Sequence, residues 1–407
     1  MFNIILNEFQ DKKIAKVAYY TLSSLFRRRQ PSKRFIMNDG CKLEQVYKLS
    51  NIETFFGYYD KSPLSLDKRY ILLHVTKYRT WLNPSRSSHI CLVLFDIHAN
   101  KVVKNWNILA YNWQQGCKPQ WLSEHEFIFN NYDSNNHQYY SSIVDVRDLS
   151  EKRICFPHYD SCFKYSLSLN FYRLSKFRPD YGYRNIKNLQ LDNVKDGIFV
   201  TDLSTKNTEL LISIQQLIAY NHKSSMDFSV HKVNHIMISP SFNKFMFMHR
   251  WIHGKRKEDR LYVYDFITRK LSLVADTGMV SHCYWLNDNT IIGYMKGNDC
   301  QNGYYRIDLQ FNRFERLPEV IQNFGDGHPS ILGTKMIFDT YPDKNRLKHL
   351  YLFDLATIQV KELASFYEPL CYENQCRCDL HPRFISNNLV SIDSTHNGSR
   401  QLYLLNI

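Results

Sequence analysis

The chain has 407 residues, 44% of them hydrophobic and 22% charged, which is the composition of a packed globular protein and excludes a disordered one. No run of 18 or more apolar residues occurs, so a transmembrane helix is not expected. The N-terminus also lacks the charged, apolar and small-residue order of a signal peptide. The 10 cysteines are then expected to be mostly reduced thiols, and the sequence predicts a cytoplasmic protein.

The first 34 residues form a basic leader. They contain eight basic and two acidic residues, nearly half of the net charge of +13. Apolar residues recur there at helical spacing, which predicts a short basic amphipathic helix. Residues 12–29 can lie peripherally on the anionic inner membrane, or the helix can dock on the protein's own body. No nucleic-acid-binding motif accompanies the charge, so nucleic acid is not expected as a partner.

A short strand that ends in an acidic residue or its amide recurs along the rest of the chain. The copies end at Asp96, Asp145, Asp202, Asp265, Asp308, Asp354 and Asn406. They lie 43 to 63 residues apart, and each of the first six is preceded by an apolar strand and followed by a turn and another strand. Seven units of four strands predict an all-β fold, a seven-bladed β-propeller over residues 41–407, with residues 1–40 as helix and linker.

Two details of this repeat concern its irregular units. The seventh unit reaches Ile407 after three strands, and EQVYKLS, about residues 44–50, is predicted to supply its outer strand. This N-terminal strand would close the ring and remove an open sheet edge. The third unit is irregular over residues 165–185, which predicts an insertion on the ring face that is rich in Arg and Tyr.

Histidine occupies one equivalent position in four successive units, at the start of the innermost strand. These residues are His235, His282, His328 and His381. The first unit has Asp60 there, and the second falls near Cys117. Because inner strands line the channel of a propeller, four imidazoles are expected to converge at one mouth.

Two of these histidines are preceded by an aspartate, in GDGHPSIL and CDLHPRFI. Residues two apart on a strand point to the same side. Imidazole and carboxylate together suit a divalent metal such as Mn or Zn. The predicted metal ligands are His282, His328, His381, Asp326 and Asp379. For each histidine, a hydrogen bond that links neighbouring blades is the alternative role.

Arginine and aromatic residues are expected on the same face. Arginine binds carboxylates in a fixed two-pronged geometry, and aromatic rings stack on sugars, so an acidic glycan is the expected partner. The candidate substrate-binding residues are Arg377, Arg383, Tyr341 and Asp60. The candidate catalytic residues are His235, Arg250 and Tyr59. For Arg250, an ion pair between blades is the alternative.

The unit pattern, with His-Pro and Ser-Pro turns before the second strands, resembles the TolB-type propellers. Within that group, VNHIMISP, VSHCYW, DGHPS and DLHPRF, in residues 225–407, resemble oligogalacturonate lyase, a seven-bladed enzyme. The chain is also similar to uncharacterised propellers of bacterial surface-polysaccharide clusters.

The resemblance implies a divalent metal, typically manganese, held by several His and one Gln, and cleavage of uronate linkages by β-elimination. It implies that His282 and His328 are ligands and that His235 is the base. The chain departs from the family at Asp326, where the family has a second His, and the Gln has no clear counterpart.

The sequence thus predicts a metal-assisted enzyme that processes an acidic, uronate-containing polysaccharide or oligosaccharide, foremost a lyase. The alternative is a non-catalytic glycan- or protein-binding propeller scaffold at the inner membrane face of a surface-polysaccharide pathway. A glycosyltransferase-associated role is a weaker alternative, because no Gly-rich phosphate loop is present.

Overall fold

The computed structural model describes residues 35–254 and 256–407. The predicted amphipathic helix and the membrane contact of residues 12–29 lie outside these ranges. Within them, no helix has the length and apolar character needed to cross a membrane.

The described strands form seven antiparallel sheets, one for each predicted unit. Blade 1 consists of β3 (Glu53–Phe55), β4 (Tyr70–Thr76), β5 (Ile90–Asp96) and β6 (Lys101–Ile108). Blade 2 consists of β7 (Gln120–Trp121), β8 (Glu126–Asp133), β9 (Gln138–Asp145) and β10 (Glu151–Ile154). Blade 3 consists of β11 (Asp160–Ser161), β12 (Tyr165–Leu169), β13 (Gly197–Asp202) and β14 (Thr208–Ser213). Blade 4 consists of β15 (Val230–Ile238), β16 (Lys244–His253), β17 (Arg256–Asp265) and β18 (Lys270–Gly278).

The last three blades continue the pattern and include the two N-terminal strands. Blade 5 consists of β19 (Val280–Asn287), β20 (Thr290–Lys296), β21 (Asn302–Asp308) and β22 (Arg313–Arg316). Blade 6 consists of β23 (Ser330–Leu332), β24 (Lys335–Asp339), β25 (Leu347–Asp354) and β26 (Gln359–Tyr367), with β1 (Phe35–Met37) as a fifth strand. Blade 7 consists of β27 (Arg383–Ser386), β28 (Leu389–Ser394) and β29 (Gln401–Asn406), with β2 (Lys42–Gln45) as its outer strand.

The predicted repeat is confirmed, since every third strand ends at the residue that the sequence indicated. The recurring Asp has a local cause. In blade 3, Asp202 Oδ1 accepts hydrogen bonds from the backbone N–H groups of Ser204 and Thr205, both at 2.8 Å. Asp354 does the same for Ala356 and Thr357 in blade 6. A carboxylate that binds its own backbone two and three residues later fixes the turn into the fourth strand.

The ring closes through the N-terminal strand, but the strand bounds differ from the prediction. The paired residues run from Lys42, opposite Asn406, to Gln45, opposite Tyr403, rather than over residues 44–50. After Gln45 the chain crosses to blade 1, and Val46 N donates to Leu402 O. Residues 46–52 are therefore the connection between blades. The expected linker within residues 1–40 also contains β1, which pairs with β26.

The predicted insertion in blade 3 lies between β12 and β13, over residues 170–196. Its helix α1 (Phe171–Phe177) begins at Asn170, whose side chain accepts from Arg173 N. Two further helices, α2 (Ile214–Ala219) and α3 (Glu319–Gln322), lie in connections between blades. The predicted range of 165–185 started too early, because its first five residues are β12 itself.

Most of the long connections lie on one face of the ring. In a four-stranded antiparallel sheet, the turns between the second and third strands and the connections to the next blade end on the same side. That side therefore carries the loop 77–89 of blade 1, the insertion 170–196, and the connections 317–329 and 368–382. It is also the side at which the inner strands begin, so the predicted site lies beneath these loops.

Candidate metal centre

The four predicted histidines occupy repeat-equivalent positions in four successive blades: in the second half of β15, near the start of β19, and two residues before β23 and β27. All four side chains are buried. The ring centroids are 5.6 Å apart for His235 and His282 and 4.1 Å apart for His282 and His328. The distance from His328 to His381 is 4.4 Å. Blades 4 to 7 thus form a continuous arc of imidazoles.

A left-handed backbone marks the position in three blades. His235, His381 and Lys118 have φ values of 53°, 45° and 54°. Strand β15 bulges at His235, and Lys118, like His381, comes two residues before its inner strand. Lys118 is therefore the blade 2 equivalent, one residue beyond the predicted position. A bulge of this kind redirects a side chain locally, which explains why the histidines face one another at the channel mouth.

Three of the predicted ligands bring their donor atoms within 4.8 Å of one another: His328, Asp379 and His381. Asp379 Oδ2 lies 4.0 Å from His328 Nε2 and 3.8 Å from His381 Nε2. Donors that share an ion at about 2.1 Å lie about 3.0–3.5 Å apart. Shifts of under about 1 Å in each side chain would therefore bring the three atoms onto one cation.

The hydrogen-bonding state of the two imidazoles fits a metal. His328 Nε2 and His381 Nε2 are buried and have no hydrogen-bond partner within the described ranges. A buried polar atom left unpaired costs about 1–3 kcal/mol. A divalent cation would satisfy both nitrogens, and two imidazoles with a carboxylate suit Mn or Zn.

Asp339, at the end of β24, holds the two imidazoles in place. Its Oδ1 lies 2.8 Å from His328 Nδ1 and accepts from His328 N at the same distance. Its Oδ2 accepts from His381 N at 3.1 Å. A carboxylate on the far nitrogen of a ligating histidine fixes the tautomer that leaves Nε2 free. Asp339 was not among the predicted residues.

Asp379 has an arginine partner in addition to the two histidines. Arg377 Nε donates to Asp379 Oδ2 at 2.6 Å, and Arg377 also pairs with Asp180 of the insertion at 2.8 Å. Burial raises the pKa of Asp379, but Arg377 and then His328 outweigh it and hold that pKa at about 2. Asp379 is thus a carboxylate at neutral pH. Arg377 also donates to Tyr181 Oη at 3.2 Å and to Asn374 O at 3.0 Å, so the protein already engages this guanidinium, and its substrate role stays a prediction.

Asp326 lies beside His282 rather than within the compact donor set. Its Oδ1 is 3.0 Å from His282 Nδ1, and its Oδ2 accepts from Ser281 Oγ at 2.6 Å. Asp326 therefore orients His282 from the far nitrogen, as Asp339 does for His328. The ring of His282 lies 4.1 Å from that of His328, which leaves it next to the donor set.

His235, the predicted base, contacts a tyrosine that the sequence reasoning did not select. Tyr58 Oη lies 2.8 Å from His235 Nδ1, whereas the predicted Tyr59 donates to Cys283 O at 2.9 Å. Tyr59 thus links blades 1 and 5, and both tyrosines face the arc, since the ring of Tyr59 lies 5.5 Å from that of His328. Burial and then Arg250 lower the pKa of His235 well below its usual value, so its imidazole is neutral.

Arg250 has a structural role in blade 4. Its Nε lies 3.1 Å from Asp259 Oδ1, and it donates to Val280 O of blade 5 at 3.0 Å. These contacts correspond to the ion-pair alternative, here within one blade, with a hydrogen bond to the next. Arg250 acts on the site through its charge, as its effect on His235 shows.

Arg383 is engaged by groups of the protein itself. It donates to Tyr58 O at 2.9 Å and to Asp393 Oδ2 at 2.7 Å, and its side chain is only 1% exposed. This guanidinium joins blade 7 to blade 1, and its substrate-binding role stays a prediction.

Asp60 and Tyr341, the other predicted substrate residues, differ in exposure. Asp60 is buried, with its Oδ2 3.5 Å from Lys118 Nζ and 3.9 Å from Lys61 Nζ. Lys61 also pairs with Asp160 of blade 3 at 2.9 Å, so Asp60 belongs to an ion cluster that joins blades 1 to 3. Tyr341 is 41% exposed and its ring lies 5.9 Å from that of His328, which places it at the mouth.

Three cations, Arg178, Lys232 and Arg250, form a cationic wall near His235. The sequence did not predict Arg178 and Lys232 as its members. Lys232 is buried and its Nζ donates to Phe177 O of the insertion at 3.0 Å. Burial, Arg250 and Arg178 lower the pKa of Lys232 to about 7. The repeat predicted where His235 lies, but not that an insertion 50 residues away would supply these neighbours.

Comparisons with known proteins agree with the fold. No family model matches the chain, and no curated protein matches it in sequence. Oligogalacturonate lyase from Vibrio parahaemolyticus aligns with a TM-score of 0.60 and 12% identity, over 92% of this chain and 96% of that one. Oligogalacturonate lyase in complex with manganese gives 0.59 and 14%, over 92% and 97%. TolB from Acinetobacter baumannii aligns more weakly, at 0.36 and 13%, over 78% and 77%. At these identities the comparisons establish the shared propeller fold.

Proposed function

We propose that this propeller is a metal-assisted lyase that cleaves uronate-containing polysaccharides or oligosaccharides by β-elimination. One observation carries the proposal: two buried, unpartnered imidazole nitrogens face the carboxylate of Asp379 at one mouth of the ring. The similarity in fold to a lyase in complex with manganese supports the choice of reaction. Mn or Zn would be the ion, held by His328, His381 and Asp379, with His282 beside them.

The reaction removes the proton α to the uronate carboxylate and breaks the bond from the β carbon to the glycosidic oxygen. The electron pair of the C–H bond becomes the new double bond, and the departing oxygen takes a proton. When bound, the cation would neutralise the substrate carboxylate and so make the α proton more acidic. The protein must then supply a base and exclude water.

His235 is the candidate base because it is neutral and lies at one end of the arc. Its Nδ1 is hydrogen-bonded to Tyr58 Oη at 2.8 Å. Burial raises the pKa of Tyr58 well above its usual value, so the phenol keeps its proton. If Nδ1–H donates to that oxygen, Nε2 carries the lone pair that accepts a proton.

The cationic wall of Arg178, Lys232 and Arg250 favours an acidic substrate. Arg178 is partly exposed at the funnel, and its charge is opposed by Asp180 at 3.1 Å. Burial, followed by Arg250 and Arg178, lowers the pKa of Lys232, and the carboxylate of an anionic sugar beside this wall would offset the positive charge. Tyr341, half-exposed at the mouth, offers a ring face for stacking.

The test is the appearance of unsaturated product, followed by ultraviolet absorbance, from oligogalacturonates supplied with Mn or Zn. We expect product from the unaltered protein and a loss of at least about 100-fold in kcat for His235→Ala, the usual contribution of a general base. That variant should retain its metal. His125→Ala, an exposed histidine on the opposite face, is the matched control and should be unaffected.

A second pair of measurements separates catalysis from binding. The double variant His328→Ala/His381→Ala should lose bound metal and product together. If the unaltered protein binds oligogalacturonates but forms no product with any divalent metal, it is the glycan-binding scaffold. If nucleotide sugars are turned over instead, the protein has the glycosyltransferase-associated role.

We also propose that residues 12–29 hold the protein peripherally on an anionic membrane, because the leader contains eight basic residues against two acidic ones. Co-sedimentation with phosphatidylglycerol vesicles should be lost in a variant that lacks residues 1–34. Equal sedimentation of both proteins would contradict the proposal.

A further inference from the structure

A second basic pocket lies on the loop-bearing face, outside the arc of histidines. It has a volume of about 290 Å³, near the lower end of small-molecule sites. The loop 77–89 of blade 1 supplies one wall and the insertion 170–196 supplies the other. Four basic side chains line this basic pocket: Arg86, Lys176, Arg184 and Lys187.

The charge of the basic pocket is not offset by the protein. None of its lining residues is acidic. Within residues 35–254 and 256–407, none of the four cations lies within 4.0 Å of a carboxylate oxygen.

The acids of the insertion are engaged elsewhere. Asp180 pairs with Arg178 and Arg377, and Asp196 pairs with Arg173 at 2.5 Å. Asp192 accepts from the backbone of the residues that follow it. An anion is therefore the ligand that this pocket lacks.

Hydrogen bonds hold the walls of the pocket together. Arg184 donates to the side chain of Gln375 in the connection 368–382. Asn185 Nδ2 donates to Arg86 O at 2.9 Å and to Leu109 O at 3.0 Å. Burial and then Arg86 lower the pKa of Arg184, as expected where cations crowd without a counter-ion. The basic pocket is thus a built feature of three chain segments.

The same segments link the basic pocket to the metal centre. Asp180 and Tyr181 of the insertion contact Arg377, two residues after Gln375, and Arg377 contacts Asp379. The four residue steps from Asp180 to Arg184 span at most about 14 Å. A short oligosaccharide can bridge such a distance along the face of the ring.

We propose that the basic pocket is a second subsite, which binds the carboxylate of a further uronate residue in the glycan chain held at the metal centre. This inference rests on the proposed function and adds a preference for longer acidic chains. Loop 77–89 also exposes Tyr78 and Trp81, at 45% and 39%, as faces for sugar rings.

Calorimetric titration of oligogalacturonates of increasing length into manganese-loaded protein that carries His235→Ala, as do the variants below, tests the subsite without turnover. The variant Lys176→Ala/Lys187→Ala lacks two exposed lysines of the pocket. Its affinity for a hexamer should fall about tenfold, which corresponds to the loss of one or two charge-assisted hydrogen bonds. Affinity for a dimer should not change. Lys101→Ala/Lys270→Ala removes two exposed lysines from the opposite face and should bind both as the His235→Ala protein does.

The outcomes distinguish this subsite from the proposed function. Length-dependent binding that the pocket variant loses, without product from any oligomer with the unaltered protein, would support the subsite and contradict the lyase. Product formation with hexamer affinity unchanged in the variant would support the lyase and overturn the subsite. Inorganic phosphate is titrated in parallel: tight binding that hexamer does not displace would assign the pocket to a phosphate ligand and also overturn the subsite.

Discussion

Asp339 shows how a repeat is adapted to chemistry at one residue. Asn130 of blade 2 and Asp393 of blade 7 also lie on second strands and accept hydrogen bonds from the backbone of the next blade. Asp339 does this for His381 and in addition holds His328 Nδ1 at 2.8 Å. A position that links neighbouring blades in blades 2 and 7 thus also orients a candidate ligand in blade 6.

Asp339→Asn should weaken divalent-metal affinity by about 10–100-fold, the usual effect of altering a partner of a ligand. The amide keeps an acceptor for the backbone but binds the imidazole less strongly. Competition with a metal-sensitive dye measures the affinity. Asp393→Asn is the control, because it alters the equivalent link from blade 7 to the backbone of blade 1 and contacts no candidate ligand. An equal loss in both variants would mean that Asp339 acts only on stability.

His74 gives a pH-dependent contribution away from the metal centre. Its Nε2 accepts from Cys117 N at 3.0 Å, and its ring stacks on Phe55. Burial lowers its pKa to about 3. The unfolded chain, with a pKa near ~6.5, binds a proton that the folded chain excludes. Between those values the free energy of unfolding therefore falls as the pH falls.

His74→Gln, which keeps an acceptor for Cys117, should reduce that slope by up to about 1.4 kcal/mol per pH unit. Urea unfolding between about pH 4 and 7 measures it. The exposed His125→Gln should leave the slope unchanged. Identical slopes for His74→Gln and the unaltered protein would show that His74 is protonated in the folded state.

At the scale of elements, the two N-terminal strands differ in what they protect. Strand β2 completes blade 7 and covers the edge of β29, whereas β1 adds three residue pairs to a blade that already has four strands. The ring thus depends on β2 for closure. An exposed strand edge is a site of association between chains.

Removal of residues 1–37 should leave a monomer, because blade 6 keeps its four strands. Removal of residues 1–46 should lower the melting temperature further and produce oligomers, because β29 loses its partner. Size-exclusion chromatography and thermal unfolding compare the two proteins, and both lack the basic leader. Equal behaviour would mean that β2 does not close the ring.

Strands and turns could be predicted from the sequence because each repeat carries its own local signal. Asp202 and Asp354 fix turns through their own backbone, so the pattern is readable without tertiary information. The bounds of β2 could not be read, because its end is set by the crossing to blade 1. The insertion 170–196 has no counterpart in the other repeats, so its contacts with Arg377 could not be predicted from the sequence.

At the scale of the whole molecule, part of the candidate site could likewise be predicted from the sequence and part could not. The register of the repeat predicted that His328 and His381 meet, since equivalent positions ring one mouth of the channel. The register could not predict that Arg383 pairs with Asp393 or that Asp326 lies within hydrogen-bond distance of His282. Those choices depend on rotamers and on neighbouring blades, which one-dimensional spacing does not encode.

Metal binding should stabilise the whole ring, since ligands from blades 6 and 7 would share one ion. At 100 times the dissociation constant a ligand of the folded state adds about 2.7 kcal/mol to the free energy of unfolding. Mn or Zn should therefore raise the melting temperature, and chelator should reverse the rise. In His328→Ala/His381→Ala, neither addition should have an effect.

The most direct test of the metal centre is an anomalous difference map from crystals grown with Mn²⁺ and measured at the manganese edge. We predict one peak at about 2.0–2.3 Å from His328 Nε2, His381 Nε2 and an Asp379 oxygen. Full manganese occupancy at a position that contacts none of these three side chains would contradict the account.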